Sequence, residues 1–153
     1  MTNMVKNAFT AYRIDNSTGS ENYLSVSSPV LDSDIHGFDI WLYIESDGSE
    51  ILSQNNGVCI GVSREKITIK LPRKNALTVE NKIIFVREKE WTNLYIGFDN
   101  NKIKVFVNGN HMGDVEYDGE LLNANPLDLG KGLSGYIRSL KLYNQVVTEE
   151  HFR

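Results

Sequence analysis

Gly37-Phe38-Asp39-Ile40-Trp41-Leu42-Tyr43-Ile44-Glu45 decides the fold class, because two kinds of residue alternate along it. Successive side chains of a β-strand point to opposite faces. One face therefore carries Phe38, Ile40, Leu42 and Ile44, and the other carries Asp39, Trp41, Tyr43 and Glu45. The aliphatic set is expected to face a core.

The same period of two runs outward from this stretch. Lys66-Ile67-Thr68-Ile69-Lys70-Leu71 alternates until Pro72 ends it. Ile51-Leu52-Ser53 and Val58-Cys59-Ile60-Gly61-Val62 flank Gln54-Asn55-Asn56-Gly57, where Asn-Gly supplies positive φ cheaply. Asn81-Lys82-Ile83-Ile84-Phe85-Val86 reads as a more buried strand. From Trp91 to Phe98 the strand puts Leu94, Ile96 and Phe98 on one side. A turn at Asp99-Asn100-Asn101 leads to Lys102-Ile103-Lys104-Val105-Phe106-Val107, and Asn108-Gly109 signals a second hairpin. Leu127-Asp128-Leu129-Gly130 and Gly135-Tyr136-Ile137-Arg138-Ser139-Leu140-Lys141-Leu142-Tyr143 give two more strands. Helix signals are confined to Thr148-Glu149-Glu150-His151-Phe152, with Thr148 as N-cap, and Glu120-Leu121-Leu122 reads as a turn. Many short strands with Asn/Gly turns point to one all-β domain over residues 1–153. Alternation alone fits a jelly roll, an immunoglobulin-like sandwich or a barrel.

Composition narrows the function classes. The net charge is −4, from 20 acidic and 16 basic residues with the signs interspersed. No basic stripe marks a phosphate-binding surface, so nucleic acid is not an expected partner. No apolar run has the length to span a bilayer, and the N-terminal Met1-Thr2-Asn3-Met4-Val5-Lys6-Asn7 lacks the apolar core of a signal peptide. A module excised from a larger exported or cell-surface polypeptide is compatible with that reading. The one cysteine, Cys59, permits no intrachain disulfide, and its apolar setting makes it a small core residue rather than a nucleophile.

Three stretches resemble laminin-G-like domains of the concanavalin-A-like lectin/glucanase superfamily. Phe38 to Ile44 is similar to the family's early strand. Trp91 to Gly109, with a Trp opening a strand, a polar hairpin and Ile103-Lys104-Val105-Phe106-Val107-Asn108-Gly109, looks like its "W…KLYVNG" hairpin. Pro126-Leu127-Asp128-Leu129-Gly130, then Gly135 to Asn144 and Thr148-Glu149-Glu150, resembles its closing signature. In order, they cover about residues 8–152. The resemblance implies an antiparallel two-sheet jelly-roll sandwich. It leaves the ligand open, because the fold hosts lectins, adhesion modules, toxin subdomains and some glycosidases. Within the pattern, Trp91 is expected to fill the core at a strand start, Asn108 and Gly109 to make a turn, and Gly130 and Gly135 to relieve the backbone.

Catalytic templates fit poorly. Glycosidases of this superfamily use paired acids on one strand, and the chemistry needs carboxylates about 5–10 Å apart. Glu88-Lys89-Glu90 has the spacing but precedes Trp91 in a charged, loop-like stretch; Asp47-Gly48-Ser49-Glu50 and Asp32-Ser33-Asp34 read as turns. One cysteine and three scattered histidines give no zinc spacing, and neither a G-x-S-x-G elbow nor a phosphate loop is present. The resemblance leaves room for one structural Ca²⁺, with Asp99, Asn100, Asp114, Asp118 and Asp128 as loop candidates.

Aromatic residues on the non-aliphatic phase carry the functional expectation. Trp41 and Tyr43, Tyr95 and Phe106 all sit opposite the aliphatic positions of their strands. In one sheet they would line an outer groove, with Asp39 and Lys104 as polar partners. Sugars bury C–H faces on such rings and hydrogen-bond with polar groups at the rim. The expectation is a non-catalytic, lectin-like module for a glycan or cell-surface ligand, with no membrane insertion. Its alternatives are a protein-interaction or adhesive module of a toxin, phage or surface protein and, behind that, a glycosidase.

Overall fold

The computed structural model describes residues 4–8, 12–16, 22–26, 36–45, 49–55, 57–63, 66–70, 77–79, 89–99, 101–116 and 125–143. These hold β1 (Met4–Ala8), β2 (Tyr12–Ile14), β3 (Leu24–Val26), β4 (Gly37–Ile44), β5 (Ser49–Gln54), β6 (Cys59–Ser63) and β7 (Lys66–Lys70). They continue with β8 (Leu77–Val79), β9 (Trp91–Asp99), β10 (Lys102–Val107), β11 (Asn110–Glu116), β12 (Leu127–Leu129) and β13 (Gly135–Tyr143). A seven-stranded sheet runs β1-β13-β4-β9-β10-β11, with β2 also on β13, and a six-stranded sheet runs β3-β12-β5-β6-β7-β8. Every pairing is antiparallel.

One apolar cluster lies between the sheets and makes them a sandwich. Phe38, Ile40, Leu42 and Ile44 of β4 meet Leu94, Ile96 and Phe98 of β9 and Ile103, Val105 and Val107 of β10 there. Ile60, Val62, Ile67, Ile69, Leu127 and Leu129 come from the other sheet. Each such side chain, fully buried, contributes about 1.5–3 kcal/mol of transfer free energy. The all-β sandwich that the alternation and the resemblance imply is the fold observed.

Turn chemistry sets the register. Asn108 and Gly109 have φ of 50° and 82°, the double positive φ that suits a two-residue hairpin loop between twisted strands. At the β9–β10 hairpin, Asn101 takes φ 65° and Lys102 pairs with Asp99. Gly135 packs so closely under β4 that a Cβ would strike the Tyr43 carbonyl oxygen. Asn16 ties the segment before β3 to the β12–β13 connection: its side-chain amide donates to the Gly130 and Leu133 carbonyls at 3.0 and 2.7 Å.

Several expectations need revision. Ser49 and Glu50 belong to β5 rather than to a turn. Cys59 is half-buried, because Val58 and Ile60 take the inward positions on either side of it. Burial together with the nearby Glu50 carboxylate pushes its thiol up to about 11, so it is protonated and unreactive near neutral pH. Strand β11 escapes the alternation because it is an edge, with Val115 as its only buried side chain. The strand at 81–86, the turn at 120–122, the helix at 148–152 and the acids of 32–34 lie outside the described residues.

Candidate functional site

The face of the seven-stranded sheet turned away from the core is built row by row from strand register. Tyr43 stands between Trp91 of β9 and Tyr136 of β13. Trp41 stands between Asn93 and Arg138, and Asp39 between Tyr95 and Lys141. Phe106 of β10 continues the Tyr95 row, and Lys104 lies one row further on, opposite Gly97. Trp41, Tyr43, Tyr95 and Phe106 therefore share one face, but they divide into two groups.

The first group is filled. Tyr95, Phe106 and Tyr143 form a small second core, with Tyr95 and Phe106 only 1% and 3% exposed. Their rings meet edge to face, with centroids 5.9 Å apart for Tyr95–Phe106 and 5.8 Å for Tyr95–Tyr143. Gly37 and Gly97 give the Tyr95 ring its bed, since a Cβ on either would run into it. The edge strand adds a lid: a bulge between Val105 and Phe106 brings His111 against Phe106, ring centroids 5.0 Å apart, with Nε2 2.6 Å from Asp114 Oδ1. Tyr95 and Phe106 thus offer no open ring face, which corrects the expectation of a four-ring groove. Alternation assigns a side; it does not report what covers that side.

The second group is open. Trp41, Tyr43, Trp91 and Tyr136 are all half-buried and pack side by side. Tyr43 lies 5.6 Å from Trp91 and 5.7 Å from Tyr136, centroid to centroid, and Trp91 lies 6.4 Å from Tyr136. The guanidinium of Arg138 stands 4.3 Å from the Trp91 ring and 5.2 Å from the Trp41 ring, a doubled cation–π contact. At the end of the row, Arg13 sits 5.4 Å from the Tyr136 ring and donates to Tyr136 Oη at 3.1 Å and to Glu45 Oε1 at 2.6 Å. Trp91 is therefore a surface residue of this face, not the core residue the family pattern implied. Its parity with Tyr95, opposite Leu94, was the available signal; Tyr136 and Arg138 alternate with Ile137 but share parity with the core residues Leu140 and Leu142, so alternation did not fix their side.

Of the two polar candidates, Asp39 is buried and accepts from Asn93 Nδ2 at 2.6 Å. Asn93 is fixed in turn by its N–H, which donates to Asn108 Oδ1 at 2.9 Å. Burial, with the Asp39 charge adding to it, pushes the Tyr143 hydroxyl up to about 12. Asp39 thus pins the boundary between the two groups. Lys104 pairs with Asp99 at 3.4 Å and lies beyond the Tyr95 row from Trp41. The structure does not bring it to the open rings.

The calcium candidates do not converge. Asp99 engages Lys104, Asp114 engages His111, and Asp128 engages Lys131 and Ser25. Among the described residues no three acidic, histidine or cysteine side chains gather at one point, so those present do not fit a shared Ca²⁺ site. Asn100 and Asp118 lie outside the described residues, as does Glu88, while Lys89 and Glu90 are exposed. No helix among the described residues is long and apolar enough to cross a membrane.

Comparison with solved structures bears on the fold. Domain 4 of AbnA, an extracellular arabinanase from Geobacillus stearothermophilus, in complex with arabinotriose, superposes with a TM-score of 0.71 at 12% identity over 99% of this chain and 97% of that one. The CBM40 carbohydrate-binding module of the Ruminococcus gnavus IT-sialidase, bound to α2,3 sialyllactose, gives 0.75 at 13% identity over 98% and 97%. The receptor-binding domain of botulinum neurotoxin type G gives 0.60 at 11% identity over 96% of this chain and 50% of that one. All three are domains of larger proteins, and two hold glycans. Comparison with curated proteins found no match. A family profile matches residues 18–152, nearly the whole chain. The chain accordingly belongs to the Laminin_G_3 family of the Concanavalin A-like lectin/glucanases superfamily.

Proposed function

We propose that this domain is a non-catalytic module that binds carbohydrate on the open half of the seven-stranded sheet's outer face. The observation that carries the reading is the side-by-side packing of Trp41, Tyr43, Trp91 and Tyr136, half-buried and facing outward. Folding gains most from aromatic residues by burying them, so a contiguous group left half open is suited to a second surface. Pyranose and furanose rings present C–H faces that pack on indole and phenol rings, and polar groups at the rim set orientation. Arg13 and Glu45 stand at that rim, and Arg138 stands between the two indoles. The fold likeness to two domains whose structures contain oligosaccharides supports the same reading.

The adhesive alternative calls for an apolar surface patch. Among the described residues the only exposed large hydrophobic side chain is Tyr23, at 44%, and the Lys131 ammonium lies 4.9 Å from its ring centroid. The open aromatic group is the surface that either reading would use, so the glycan array separates them.

A glycan array, run in calcium and in chelator, tests the proposal with wild type and Trp41→Ala. Wild type is expected to retain a defined glycan class, and the variant to lose it while keeping its circular dichroism spectrum and unfolding cooperatively with a loss of only about 1 kcal/mol. Unchanged retention by Trp41→Ala would contradict the site.

A further inference from the structure

We propose that the sugar taken by this face carries an oxyanion group, a carboxylate or a sulfate, and that Arg138 binds it; the inference rests on the carbohydrate reading above. Arg138 is half-buried between two indoles, with its Cζ 5.2 Å from the Trp41 ring centroid and 4.3 Å from that of Trp91. The rings compensate part of its desolvation, but they accept none of the five N–H bonds a guanidinium can donate in its own plane. Among the described residues no carboxylate and no hydrogen-bond acceptor engages that side chain. The contrast lies on the same face: Arg13 has Glu45 at 2.6 Å and the Tyr136 hydroxyl at 3.1 Å. Asp39, the other carboxylate beside Trp41, is committed to Asn93. Among the described residues Arg138 thus holds a fixed charge with no acceptor on its donors, inside the aromatic group, a combination matched by an anion that accepts two parallel hydrogen bonds.

The backbone gives a second, independent sign. Between Arg138 and Lys141 strand β13 carries one residue more than its partner stretch Asp39–Trp41, and Ser139 takes φ 54°. A regular strand would put Arg138 and Leu140 on one face. The bulge turns Leu140 into the core, where it is 3% exposed, and leaves Arg138 outward beside Trp41. Left-handed backbone at a non-glycine residue is a local cost, and bulges that re-aim a side chain occur where that side chain is used.

Matched ligands separate this inference from the reading beneath it. Lactose, 3′-sialyllactose and 3′-sulfolactose, with glucuronate-terminated chains and their glucose counterparts, are titrated calorimetrically into wild type, Arg138→Gln and Arg138→Lys. Wild type should bind the anionic member of at least one pair about 10-fold or more tighter than the neutral one, the scale of one charge-assisted bond. Arg138→Gln should remove that preference, and Arg138→Lys, which keeps charge without the fork, should fall between. Equal affinity for neutral and anionic members in wild type overturns the inference while leaving the carbohydrate reading intact. An anion preference that survives in folded Arg138→Gln also overturns it. Failure of every glycan to bind wild type removes both. The wild-type comparison needs no variant, so it decides the matter even if Arg138→Gln does not fold.

Discussion

Trp91 and Tyr95 lie four residues apart in one strand and point the same way, yet Tyr95 is 1% exposed and Trp91 is half-buried. The difference comes from the neighbours. Around Tyr95 the adjacent positions are Gly37 and Gly97, which leave a hollow that the ring fills, and the bulged edge strand closes over Phe106. Around Trp91 the neighbouring side chains are Tyr43, Tyr136 and Arg138, all large, and among the described residues no glycine lies beside the ring to make such a bed. One sheet face thus holds a glycine-bedded region that folding uses and a crowded region that it leaves available. The buried Asp39–Asn93 hydrogen bond lies at the boundary between them.

The comparison breaks most readily at Tyr95. Truncating a buried aromatic ring removes its transfer free energy and leaves a cavity, so Tyr95→Ala should cost about 3–5 kcal/mol in urea unfolding. The glycan affinity of the molecules that remain folded should not change. A cost under about 1 kcal/mol would mean that the filled region is not a second core. Trp41→Ala is the mirror case. It loses half-exposed area and one cation–π contact, and should cost only about 1 kcal/mol in the same assay while removing sugar binding. A loss of several kcal/mol with binding intact would reverse the roles assigned to the two regions. The smallest effect belongs to the bulge. Glycine at position 139 removes the left-handed penalty of about 1–2 kcal/mol but adds chain entropy worth about half of that. Ser139→Gly should therefore raise stability by about 0.5–1 kcal/mol in thermal unfolding, and a loss of stability would show that Ser139 is not strained.

The fold was legible because strand period and burial are coupled. Phe38, Ile40, Leu42 and Ile44 lie in the core where their alternation puts them, and Asn108-Gly109 forms the tight turn its residue types favour. Parity also assigned Trp41 and Tyr43 to the outer face. Trp91 shares the parity of Tyr95, but the family pattern drew it toward the core, and in 135–143 strict alternation groups Tyr136 and Arg138 with Leu140 and Leu142, so their outward face was not legible. What could not be read was cover: Gly97 stands two residues from Tyr95, but nothing local announces that Gly37 of the neighbouring strand will lie opposite it and complete the bed, or that the edge strand will close over Phe106. The β13 bulge was hidden as well, because Ser139 carries no mark of left-handed backbone. Polar partners were the least legible of all. Asp39 and Lys104 share the phase of the rings, yet one is buried against Asn93 and the other pairs with Asp99 beyond the filled region.

Both tryptophans of the chain, Trp41 and Trp91, stand in the open group, so tryptophan emission, excited selectively over the tyrosines, reports on that face. Titrating an array-selected glycan while recording tryptophan emission is the most direct test of the claim that sugar is bound there. A saturable change in emission wavelength or intensity, with the same midpoint as calorimetric binding, is the predicted result. Calorimetric binding with no change in emission would place the sugar elsewhere and contradict the account.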